Sequence, residues 1–89
     1  MRRRYLVEGE VQGVGFRYFA VRRALRIGVS GWVRNLPDGR VEALAEGSLA
    51  ALAEFEAALR RGPDMADVTN LQVDEISDET ELLTSFIIR

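Results

Sequence analysis

The sequence predicts an α+β fold, a split β-α-β sandwich in which one mostly antiparallel sheet carries two helices on one face and leaves its other face wet. Three observations lead there. Apolar residues switch between a period of two and a period near 3.6 in the order β-α-β-β-α-β, followed by a short terminal strand. Turn and stop residues mark the switches: Gly13 and Gly15, Gly28, Pro37-Asp38-Gly39, Gly47-Ser48 and Gly62-Pro63. Finally, 89 residues, 47% of them hydrophobic, suffice for one domain (1–89) with one core sealed between two layers, and not for two domains.

The first strand is expected over Arg4 to Val11, with Tyr5, Val7, Gly9 and Val11 on the core face and Arg4, Leu6, Glu8 and Glu10 opposite. Phe16, Ala20, Ala24 and Ile27 then recur at helical spacing, so a helix runs from Phe16 to Ile27 and stops at Gly28. Arg23 falls within its apolar stripe, where its stem can lie on the core edge while its head reaches water; Val21 and Leu25 fall outside the stripe. Val29 to Leu36 and Arg40 to Glu46 form a hairpin closed by Pro37-Asp38-Gly39. Gly31, Val33 and Asn35 take one side of its first strand and Ser30, Trp32 and Arg34 the other, while Val41, Ala43 and Ala45 face the core from the second. Ser48 caps a second helix, Leu49 to Arg61, with a stripe of Leu49, Leu52, Phe55 and Leu59. Arg60 and Arg61 in its last turn suit the negative end of the helix dipole. Ala66 to Ile76 reads as a fourth strand of uncertain phase, an acidic loop continues to Glu81, and Leu83 to Arg89 closes the sheet.

Composition removes whole classes of chemistry. There is no Cys and no His, so thiol nucleophiles, imidazole bases and the usual zinc sites are excluded, leaving Arg, Asn, Gln, carboxylates, hydroxyls and backbone. The formal net charge of -2 argues against a general nucleic-acid binder, although every one of the twelve basic residues is an arginine. Met1-Arg2-Arg3-Arg4 leads into an alternating strand and not an apolar run, so neither a secretory leader nor a membrane span is expected, and the reading is of a cytoplasmic protein.

Within this frame, the stretch Val7 to Arg17 outlines an anion site. Gly13 and Gly15 permit positive φ and bring successive NH groups together, a helix beginning near Phe16 adds its unpaired NH groups and positive dipole end, and Arg17 brings a forked cation that meets two phosphate oxygens at once. Alone, a Gly-x-Gly turn is more often a connector, Arg17 a surface helix residue and Asn35 a turn residue before Pro37. It is not a nucleotide-type phosphate loop, since no Gly-Lys-Ser/Thr follows. The topology brings the loop after the first strand and the end of the second strand to one edge, which makes Asn35 a candidate neighbour of Gly13 to Arg17.

Two stretches together resemble the acylphosphatases: Val7-x-Gly9-x-Val11-Gln12-Gly13-Val14-Gly15-Phe16-Arg17, and Gly31-Trp32-Val33-Arg34-Asn35-x-x-x-Gly39-x-Val41 closed by Gly47. A looser similarity continues through Gly62-Pro63, Ala66, Val68 and Phe86-x-Ile88. The resemblance implies a ferredoxin-like sandwich that hydrolyses acyl phosphates to carboxylate and inorganic phosphate, without cofactor or metal. Position by position it implies that Arg17 binds phosphate, that Asn35 positions the attacking water, and that the backbone NH groups of Gln12, Gly13, Val14, Gly15, Phe16 and Arg17 form the cradle. It further implies a small-molecule substrate, with no nucleic acid and no membrane as partner, and a monomer is expected. Glu10, an acid just before the loop, departs from the basic or neutral residue that relatives often carry, but alternation points it away if Val11 faces the core.

Other readings weigh less. An RNA-recognition module shares the element order but stacks bases on sheet aromatics, and Arg40 to Glu46 holds none. A non-catalytic acyl phosphate-binding domain, as found at the start of larger hydrogenase-maturation proteins, is disfavoured by the lack of a further domain. Trp32 is expected to cover neighbouring side chains more than to stack a ligand. The carboxylates Asp74, Glu75, Asp78, Glu79 and Glu81 lack cation-loop spacing and read as a solvated acidic loop.

Overall fold

A computed structural model describes residues 1–77 and 80–89. Its elements are β1 (Arg2–Glu10), α1 (Phe16–Ile27), β2 (Ser30–Asn35), β3 (Val41–Glu46), α2 (Leu49–Arg61), β4 (Asp67–Glu75) and β5 (Phe86–Ile88). The sheet order is β4-β1-β3-β2-β5, antiparallel throughout except for the parallel β2–β5 pair. This is the expected α+β sandwich, with β1 and β3 central.

Both helices keep the bounds that their capping residues specify. Gly28 ends α1 by donating its NH to the Ala24 carbonyl at 2.8 Å, and Ser48 Oγ accepts the Ala51 NH at 3.1 Å to start α2. Phe16, Ala20 and Ala24 from α1 and Leu52, Phe55 and Leu59 from α2 are buried against Tyr5, Val7, Val33, Val41, Ala43 and Ala45 of the sheet. Phe55 sits at the centre, edge to face with Tyr5 at 5.8 Å and with Phe86 at 5.4 Å. Leu49 departs from the expected stripe: it is exposed, and Ala58 is buried in α2 in addition to Leu52, Phe55 and Leu59.

Three strand expectations need correction. β1 begins two residues early, because Arg2 pairs with Glu46 of β3 and Arg3 with both Ala45 and Glu75. Gly9 does not face the core but is exposed. Glu8 pairs with Asn70 and Gly9 with Val68, so Thr69 is an extra residue, and a Cβ on Gly9 would overlap the Asp67 carbonyl oxygen. That bulge also explains the uncertain phase of β4, for it puts Val68 and Leu71, three apart, against the same core. β5 is short, and residues 83–85 precede it as irregular chain.

The outer face is not wet. Leu6, Trp32 and Leu44 are buried there, covered by a layer of ion-paired arginines. The Trp32 ring lies between the guanidinium groups of Arg34, 5.2 Å from its centroid, and Arg89, at 4.9 Å. Arg2, itself buried, bonds Glu46 Oε1 at 2.9 Å and the Glu81 carbonyl oxygen at 2.8 Å. Asp74 and Glu75 belong to β4 and not to a loop; Glu75 pairs with Arg3 at 2.6 Å, Asp74 with Arg4 at 3.9 Å, and Glu81 pairs with Arg89 at 3.2 Å. Asp78 and Glu79 lie outside the described residues.

At the middle of this layer Glu42 is buried between Arg4 at 2.5 Å and Arg34 at 2.6 Å. Burial pushes its carboxyl up, but the hydrogen bonds and charges of the two arginines outweigh burial and hold it below its ordinary 4.5. A depressed carboxyl stabilises the fold above its unfolded value, and that contribution is lost as pH falls through the folded one. Glu42→Gln should therefore cost about 1–2 kcal/mol at neutral pH, given that both arginines are partly solvated. Urea unfolding should show the gap from the wild type narrowing as pH falls below the ordinary carboxyl value of 4.5; a gap that is constant with pH would contradict this.

Candidate active site

The loop between β1 and α1 is held open by its backbone. Gly13 and Gly15 have φ of 75° and 77°, a region that costs an L residue about 1–2 kcal/mol, and Gly15 is the N-cap of α1. A glycine cap has no side chain with which to bond the first turn, and the first helical bond runs from the Phe19 NH to the Gly15 carbonyl oxygen at 3.0 Å. Among the described residues, the backbone NH groups from Gly13 to Tyr18 donate to no other group of the chain. With no acidic residue in the first turn, the positive end of the helix is unopposed.

This loop faces β2. Gly13, Gly15, Phe16 and Arg17 line one cleft of about 160 Å³ together with Asn35, which ends β2, and its remaining walls are Val11, Tyr18 and Ile88. Arg17 is half-buried and makes no hydrogen bond or ion pair with any described residue. Asn35 Oδ1 is buried and lacks a hydrogen-bond donor, a costly state for an amide oxygen unless a partner enters from the cleft. Glu10 is exposed and does not line the cleft, and the neighbouring Val11 is buried, as alternation requires.

Of the residues expected from sequence, Gln12 and Val14 do not line the cleft: Val14 packs against the core, and Gln12 is turned toward the hairpin. Gln12 Nε2 donates to the carbonyl oxygens of Leu36 at 2.8 Å and Arg40 at 2.9 Å. These two residues close the β2–β3 turn, where the Leu36 NH reaches the Arg40 carbonyl oxygen and the Gly39 NH the Leu36 carbonyl oxygen. One amide thus ties the glycine loop to the hairpin that carries Asn35. Sequence reasoning missed this clasp, and it missed Tyr18 and Ile88. Ile88 could have been found from the topology, since β5 runs beside β2 with Ile88 opposite Val33, two residues before Asn35.

A family model for acylphosphatase matches residues 3–88. The chain belongs to the acylphosphatase family. It is 44% identical to an acylphosphatase of Pasteurella multocida over 89 residues, which is all of this chain and 98% of that one. The crystal structure of acylphosphatase from Bacillus subtilis superposes with a TM-score of 0.93 at 43% identity, covering 99% of this chain and 97% of that one. HypF of T. kodakarensis is similar in one part only: TM-score 0.86 and 31% identity over 100% of this chain but 12% of that one. Membership of the acylphosphatase family implies acyl phosphate hydrolysis. No helix among the described residues is long and apolar enough to cross a membrane, and the described residues hold no group of three or more Asp or Glu arranged to bind a metal.

The clasp makes a prediction of its own. Gln12→Ala should cost about 1 kcal/mol by taking the second donor from each of two half-buried carbonyl oxygens, which keep their backbone donors. Gln12→Glu should be worse at neutral pH, where a carboxylate would face both oxygens, and should recover relative to Ala as acid protonates it and restores one donor. Thermal melts of both variants across pH check this, and variants as stable as the wild type would show that the clasp holds nothing.

Proposed function

We propose that the chain is a metal-independent acylphosphatase in which the loop from Gln12 to Arg17 holds the phosphoryl group, with Arg17 as its cation and Asn35 as the residue that positions the attacking water. The observation that carries the reading is the meeting, in one cleft, of unpaired NH groups, an unpaired arginine and a buried amide oxygen without a donor. The NH groups and the guanidinium offer donors to equatorial phosphoryl oxygens, and the amide oxygen is an acceptor for a water proton. A single anionic group with a water beside it satisfies all of them.

The chemistry needs no more than this. An acyl phosphate is a mixed anhydride whose leaving carboxylate, of pKa about 4, departs unprotonated. Water oxygen attacks phosphorus in line, the P–O bond to the acyl group breaks with its electron pair going to the carboxylate, and the water proton passes to a phosphoryl oxygen, giving carboxylate and inorganic phosphate. No acid, base or metal from the protein is consumed, and catalysis reduces to alignment and charge stabilisation. Simple phosphate monoesters, whose alkoxides do require protonation, fall outside its range. A monomer in the cytoplasm, acting on a small molecule and on neither nucleic acid nor membrane, is part of the same proposal.

Release of inorganic phosphate from benzoyl phosphate in excess chelator tests the proposal. Wild-type turnover should be unaffected by the chelator, and loss of activity restored by Mg²⁺ or Zn²⁺ would overturn the metal-free mechanism. Arg17→Ala should lose about 3 kcal/mol of transition-state stabilisation and bind phosphate more weakly, and Arg17→Lys should recover only part, since an ammonium lacks the fork. Asn35→Ala should separate the two functions: phosphate affinity near the wild type, with kcat down by about a hundredfold or more. If it melts early and loses affinity and turnover together, Asn35 shapes the turn and does not serve the water.

A further inference from the structure

The arginines divide by element. Arg2, Arg3, Arg4, Arg34, Arg40 and Arg89, all in or beside the sheet, are each paired with a carboxylate, whereas none of the arginines on α1 or α2 forms an ion pair with a described residue. Three of the unpaired ones, Arg22, Arg23 and Arg26, line a groove of about 340 Å³ along α1 with Tyr18 and Phe19. The groove borders the candidate active cleft, for Gly15 and Tyr18 line both. Its cations are oriented by ring contacts: the Arg22 guanidinium lies 5.9 Å from the Tyr18 ring centroid and that of Arg23 lies 5.1 Å from Phe19. Pro63 completes the groove wall, and neither Asp64 beside it nor Glu54, which shares a separate cleft with Arg23, Arg26 and Arg61, forms an ion pair with these arginines.

We infer that this groove is a subsite for the acyl portion of the substrate, and that it selects acyl phosphates whose acyl group ends in a second anionic group, a carboxylate or a phosphate. The inference rests on the acyl phosphate reading above. With phosphorus held at the start of α1, the acyl group has to leave the cleft across an edge, and the edge formed by Gly15 and Tyr18 opens onto the groove. Helical side chains lean toward the N-terminus, and each ring contact sets its guanidinium one turn back from its own Cα. Arg22 and Arg23 therefore present their charge about 5 Å along the axis from Gly15, within the reach of an acyl group a few carbons long. The flanks of Tyr18 and Phe19 give the intervening carbons an apolar wall. Two forked cations without internal carboxylates are suited to a terminal anion and offer nothing to an acetyl or unsubstituted benzoyl group.

The test compares kcat/KM for 4-carboxybenzoyl phosphate and benzoyl phosphate, which differ only in a carboxylate across the ring from the anhydride. The wild type should favour the carboxylated compound, and Arg22→Gln/Arg23→Gln should lower the ratio of the two about tenfold. Glutamine has nearly the helix propensity of arginine, so the helix is retained. Arg60→Gln, which removes a charge from the side of α2 that faces Val68 to Leu71 of β4, should leave the ratio alone. An unchanged ratio in the first variant, or an equal fall in the second, overturns the subsite and leaves the activity standing. A wild type that hydrolyses neither compound overturns the acyl phosphate reading and the subsite with it.

Discussion

Backbone NH groups without acceptors, from Gly13 to Tyr18, are the constraint on which the rest of this structure depends. Unpaired donors are tolerated at a helix start when water or an anion can reach them, and they are costly when buried. The chain keeps them open in two ways. Two left-handed glycines turn the backbone out of β1, and the N-cap position that α2 gives to Ser48 is given in α1 to Gly15, which cannot satisfy the turn itself. The Gln12 side chain then fixes this loop to the β2–β3 hairpin, so that the donors and Asn35 are set by one hydrogen-bonded unit.

The distribution of charge follows from the same division of labour. Arginines of the outer sheet face are neutralised by Glu42, Glu46 and their neighbours and serve as a cover for Trp32, Leu6 and Leu44, while Arg3 pairs with Glu75 and with Glu56 of α2. Those on the helices form no ion pair with a described residue, so a chain of net charge -2 still presents a positive field beside the candidate site. The overall balance alone would have suggested an acidic surface there. Only the pairing pattern reveals that Glu42, Glu46, Asp74 and Glu81 are committed to arginines of the sheet and its C-terminal end.

Most of the fold was legible because its punctuation is local. Gly28, Ser48 and Gly62 set the helix ends through bonds within a turn, and the hairpin was fixed by Pro37-Asp38-Gly39. What escaped depends on partners distant in sequence. The phase of β4 is broken by an extra residue opposite Gly9, the outer face is covered by ion pairs across strands, and the Gln12 clasp joins residues 24 and 28 positions apart. The meeting of Arg17 and Asn35 in one cleft was legible from topology and from the family resemblance together. The groove along α1 was not, since an arginine shows no sign in sequence of lacking a partner.

The central claim is that the unpaired NH groups hold a phosphoryl group, and a titration of the ¹⁵N-labelled protein with inorganic phosphate, followed by amide resonances, tests it most directly. The account predicts saturable shifts concentrated on Gly13 to Tyr18 and on the Arg17 side chain, with little change along β4 or at the N-terminal end of α2. Shifts that leave Gly13 to Tyr18 unmoved, or none at millimolar phosphate, would contradict it.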